Sequence, residues 1–109
     1  MKLECAQSIS SANATEAEIR GAFADDRGRG EFIILSETDQ VYLQASGEGD
    51  GPYALEYRDG SDERHFRCAR DVEKPELETA FLKYLKGDPT WKTDFQWERL
   101  EMKPWWKFW

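Results

Sequence analysis

Residues 31–69, EFIILSETDQVYLQASGEGDGPYALEYRDGSDERHFRCA, hold four short strand-forming runs separated by turn formers, and their spacing decides the fold. Residues 31–36 are apolar on both faces of an extended chain, which places them centrally in a sheet. Residues 40–46 alternate, with Val41, Leu43 and Ala45 on one face and Tyr42 and Gln44 on the other. Residues 53–59 set Tyr53, Leu55 and Tyr57 opposite Glu56 and Arg58, and residues 64–69 set Phe66 and Cys68 opposite His65 and Arg67. The connections at 37–39, 47–52 and 60–63 are short and rich in Gly, Asp, Glu and Pro. Crossover helices do not fit in them, so the strands form antiparallel hairpins in a meander.

Outward from this stretch the pattern turns helical. Thr15 and Glu18 form a capping box, and Ile19, Ala22 and Phe23 follow on one helical face, with a stop expected near Ala24. The loop expected at 25–30 reads DDRGRG. Downstream, Pro75 suits a first helical turn, and Leu77, Phe81, Tyr84 and Leu85 share a face. Gly87 suits the left-handed position that ends that helix, and Pro89 prevents its continuation. Residues 95–101 can return as a further short strand or an extended segment. The expected fold is α+β: an antiparallel four- to five-stranded meander sheet with two helices packed on one face. With 109 residues, one domain is expected over 1–102, followed by a Trp-rich tail at 103–109.

Charge is the strongest functional signal. Residues 31–63 hold nine carboxylates (Glu31, Glu37, Asp39, Glu48, Asp50, Glu56, Asp59, Asp62, Glu63) against the single Arg58, a balance of −8 in a chain of net charge −7. A one-signed field over part of a surface steers partners of the opposite sign, which makes a basic protein the expected partner and nucleic acid an unexpected one. The opening residues MKLECAQSIS lack the apolar run of a secretory signal, and no stretch approaches the roughly 20 apolar residues that span a bilayer. A cytoplasmic location is expected, with no membrane partner. Cys5 and Cys68 belong to no CxxC pair and are expected as thiols rather than a disulfide.

Each candidate site has a plainer reading. Gly47-Glu48-Gly49-Asp50-Gly51 has the glycines of a phosphate cradle, but it carries two acids and no base and is followed by a strand. A hairpin tip explains it better. His65 is the sole histidine, so a multi-histidine metal site is impossible, and no nucleophile with a strained-turn signature accompanies it. It is expected to be structural or to point outward with Arg67. Asp62, Glu63 and His65 are the one set from which an enzyme could be built, and the carboxylates lie mostly in turns where water keeps them ordinary. No catalytic residue, cofactor or metal is therefore expected. The ending KPWWKFW at 103–109 admits three uses: packing on the domain, protein contact, or membrane contact.

Two blocks, YALEYRDGSDERHF at 53–66 and AFLKYLKGDPTWKTDFQWERLEM at 80–102, together carry a resemblance. With the N-terminal helix and the meander, the chain over residues 15–102 resembles bacterial immunity proteins of polymorphic toxin systems, of the Imm1-like kind. The resemblance implies a small non-enzymatic α+β protein that binds and neutralises a cognate toxin, and it implies no catalytic residues. The Trp-rich ending lies outside it. The expected function is thus occlusion of a basic partner such as a toxin, through Glu48, Asp50, Asp59, Asp62 and Glu63, with Trp105, Trp106 and Trp109 as aromatic anchors. The alternative is a structural or assembly subunit that forms homodimers through its aromatic tail.

Overall fold

A computed structural model of the chain describes residues 1–6, 10–24, 31–47 and 51–100. The chain begins with two short strands, β1 (Lys2–Cys5) and β2 (Ser10–Ser11), followed by helix α1 (Glu16–Ala24). The four strands of the meander are β3 (Phe32–Thr38), β4 (Val41–Ser46), β5 (Ala54–Asp59) and β6 (His65–Cys68), with a 3-10 turn at Asp62–Arg64 before the last. Helix α2 (Lys74–Lys86), the single-turn helix α3 (Thr90–Thr93) and strand β7 (Trp97–Arg99) complete the order. All seven strands join one antiparallel sheet in the order β2-β1-β3-β4-β5-β6-β7.

The α+β class and the central meander agree with the sequence reading. Among the described residues, the count of four to five strands is corrected to seven and that of two helices to three, the third being the single turn at Thr90–Thr93. The additional strands are short: β1 contributes only Leu3 and Cys5 to the core, and β2 is two serines with no apolar period to detect. The helices begin and end where their caps dictate. The Thr15 N–H donates to Glu18 Oε1 at 3.0 Å while the Glu18 N–H donates to Thr15 Oγ1 at 3.1 Å, the reciprocal pair of a capping box. Gly87, at φ 74°, closes α2, and its N–H donates to the Tyr84 carbonyl. No described helix is long and apolar enough to cross a membrane.

The core lies between one face of the sheet and the helices. Leu3, Ile33, Leu35, Leu43 and Leu55 project from the strands, and Ile19, Phe23, Leu77 and Phe81 meet them from α1 and α2; all are buried. Phe23 and Phe81 touch edge to face at 5.4 Å and join the two helices over the sheet. Tyr53 fills the end of this layer, its ring lying between two glycines. A Cβ on Gly47 would sit 2.7 Å from its Cδ1, and one on Gly51 would sit 3.0 Å from its Cδ2. Gly47 and Gly51 thus have a packing role. Cys5 and Cys68 are both buried and no disulfide joins them.

Two outcomes follow. Phe81→Ala should lower the unfolding free energy by about 3–5 kcal/mol in denaturant titration, since the ring is fully enclosed. The second concerns acid. Arg70 holds the Glu76 carboxyl below its ordinary 4.5 by a hydrogen bond, assisted by the Glu73 backbone. A lowered folded-state pKa gives stability that is present above the unfolded value and lost as pH falls through the folded one. Glu76→Gln should therefore flatten the stability curve below about pH 4.5.

Candidate functional site

The register of the meander sorts the carboxylates. Thr38 pairs with Val41 across the β3–β4 hairpin, and Val41 pairs with Asp59. The β3–β4 turn, the end of β5 and the 3-10 turn before β6 therefore lie at one end of the sheet. Glu37, Asp39, Asp59, Asp62 and Glu63 gather at that end, together with Arg58 and Arg64. Glu31 immediately precedes β3 at the opposite end, and Glu56 sits mid-strand on the face away from the helices. The sequence-level run of nine carboxylates is accordingly divided. Arg64 pairs with Asp59 at 2.5 Å, and the Arg99 guanidinium donates to the Glu63 carbonyl at 2.8 Å. Among the described residues, Glu37, Asp39 and the side chains of Asp62 and Glu63 make no ion pair.

Beside this acidic end the C-terminus of α2 and helix α3 close over the sheet with aromatic rings. Tyr57 of β5 stacks on Phe66 at 4.9 Å and meets Trp91 and Trp97 edge-on at 5.1 and 4.7 Å. Tyr84 meets Trp91 at 5.2 Å. Glycine at 87 lets the chain reverse so that Trp91 folds back on Tyr84. A cavity of about 230 Å³ opens between these rings and the acidic end, lined among others by Glu37, Tyr57, Asp59, Tyr84, Trp91 and Lys92. Among the described residues the Tyr84 hydroxyl has no hydrogen-bond partner, although the residue is only 7% exposed. Burial, then the charges of Glu37 and Asp59, push that phenol well above its ordinary value. Burial followed by Asp59 moves Tyr57 the same way.

The opposite face of the sheet carries a polar network around His65. The Arg58 Nε–H donates to His65 Nδ1 at 3.1 Å, which leaves the ring proton on Nε2, and Nε2–H donates to Glu56 Oε1 at 2.9 Å. Arg58 also donates to Gln40 Oε1 at 2.9 Å and lies over the Tyr42 ring. His65 does share a face with Arg67, as alternation predicts, but it does not point into solvent. It is 4% exposed, because Tyr42, Glu56 and Arg58 close around it. Its ring hydrogen bonds go to these residues and not to Asp62 or Glu63, which are exposed on the preceding turn. The structure therefore does not assemble Asp62, Glu63 and His65 into a site.

Of the residues expected to bind a partner, Asp59, Asp62 and Glu63 lie at the acidic end. Glu48, Asp50, Trp105, Trp106 and Trp109 lie outside the described residues. Sequence reasoning counted Glu37 in the acidic run but missed the cavity and the roles of Tyr84 and Trp91 in it. Tyr84 reads as one more member of the apolar stripe of α2, and its proximity to Glu37 depends on long-range packing. No family model matches the chain, and neither a curated protein nor a solved structure matches it.

An orphan hydroxyl gives an unusual mutational sign. Removing a buried tyrosine hydroxyl ordinarily destabilises, because its partner is left unsatisfied. Tyr84→Phe has no partner to strand. It should leave stability unchanged or raise it by up to about 1 kcal/mol in thermal or denaturant unfolding.

Proposed function

We propose that the protein is a non-catalytic binding protein of immunity type, which occludes a basic surface of a partner such as a toxin. The observation that carries this reading is the gathering of Glu37, Asp39, Asp59, Asp62 and Glu63 at one end of the sheet. Asp39, Asp62 and Glu63 stand on exposed turns and Glu37 is exposed at the end of β3, and none of these four carboxylates is ion-paired among the described residues. The pair Asp59–Arg64 is exposed on both sides and offsets their charge only in part. An acidic end of this kind speeds the encounter with a cationic groove and sets orientation, while affinity comes from rings and apolar stems buried on contact. The resemblance over residues 15–102 to immunity proteins points in the same direction.

The test uses the triple variant Asp39→Lys, Asp62→Lys, Glu63→Lys. A basic protein retained from native lysate by the wild type should associate with the variant on the order of tenfold more slowly in stopped flow at low salt. Its toxic or catalytic activity should be lost on binding. Equal association rates for the two proteins, or full activity of the partner in the complex, would count against the reading.

A further inference from the structure

The cavity beside α2 has features that go beyond a charged surface. One of its lining residues, Tyr84, carries a buried hydroxyl that has no hydrogen-bond partner among the described residues. The charged groups around it are unevenly occupied. Arg58 contributes to the wall, but its guanidinium is held on the opposite face of the sheet by His65, Gln40 and the Tyr42 ring. Asp59 is engaged by Arg64. Lys92 is exposed, with its ammonium 5.1 Å from the centre of the Tyr57 ring. Glu37 alone is left without a base among the described residues. Unmatched negative charge, an orphan hydroxyl that can accept a hydrogen bond, and aromatic walls in one cavity favour a cation. Lys92 already demonstrates that Tyr57 accepts one.

From this we infer that the cavity lined by Glu37, Tyr57, Tyr84 and Trp91 receives an arginine side chain of the partner protein. A guanidinium suits it better than an ammonium. Its planar fork can donate to the Glu37 carboxylate and the Tyr84 hydroxyl together, and it stacks on indole and phenol faces. Lys92 swings aside to admit it. This inference rests on the reading of the protein as a binder of basic partners and adds the anchor residue to it. The arginine is the point where electrostatic attraction becomes a buried contact.

The full chain is titrated with the blocked peptide acetyl-Gly-Arg-Gly-amide and followed by 1H–15N spectra at the Trp91 indole and the Gly87 amide. Matched peptides carry lysine or citrulline at the central position. The arginine peptide should give saturable shifts with a Kd on the order of 1 mM. The citrulline peptide, of similar shape but neutral, should give none, and the lysine peptide should bind several-fold more weakly. Glu37→Gln and Tyr84→Phe should each weaken the arginine peptide by about fivefold. Tyr84→Phe is the decisive variant, because its fold is expected to be at least as stable as the wild type. Equal binding of arginine and citrulline peptides, equal binding of arginine and lysine peptides, or wild-type affinity in Tyr84→Phe would each overturn the inference. The triple lysine variant at 39, 62 and 63 leaves every cavity residue intact. If it slows partner association while the peptide fails to bind, the cavity assignment is lost and the acidic end stands. If association is unchanged, the underlying reading is lost as well.

Discussion

The pairing of β4 with β5 is the constraint on which the remaining structure depends. Leu43 faces Tyr57, Ala45 faces Leu55 and Val41 faces Asp59. Because side chains alternate across a strand, a slip of one residue would turn the apolar set to the outer face and bring Glu56 and Arg58 under the helices. The same register brings Tyr57 to the underside of Trp91 and sets Asp59 at the turn end occupied by Glu37 and Asp39. Core, aromatic clamp and acidic end are three consequences of one alignment.

The two faces of the sheet use different chemistry. On the helix side, apolar burial dominates over β1, β3, β4 and β5, and ring-on-ring contact takes over beyond β5. On the other side His65 is enclosed by polar neighbours that satisfy both ring nitrogens, as burial of an imidazole demands. Exposed pairs such as Lys83 with Asp94 and Arg20 with Glu16 contribute little to stability by comparison. Against this well-satisfied background the Tyr84 hydroxyl is an exception. Such a group costs stability in the isolated protein, and Tyr84 also lines the cavity beside α2.

Much of the fold was legible in the sequence. Alternation at Val41, Leu43 and Ala45 and at Tyr53, Leu55 and Tyr57 located the meander and its inner face, while Thr15, Glu18, Pro75 and Gly87 located the helix ends. Other features were not legible, for identifiable reasons. A strand of two serines has no hydrophobic period. Alternation assigned His65 to a face but could not show that the long side chains of Arg58 and Tyr42 would cover it. The crowding of acids was read along the chain, yet a hairpin sends nearby residues to opposite ends. Glu31 immediately precedes β3 and Glu37 lies near its far end, roughly 20 Å of extended strand away. Glu37 meets the surroundings of Tyr84 only once α2 is laid across the sheet, and no local pattern encodes that crossing.

The account is tested most directly by cross-strand nuclear Overhauser contacts between β4 and β5 in the intact protein. Contacts pairing Val41 with Asp59 and Ser46 with Ala54 are expected. Contacts offset by one residue, with Tyr42 opposite Asp59, would reverse the faces of β5. That result would detach Tyr57 from the aromatic clamp and contradict the shared origin of the core and the acidic end.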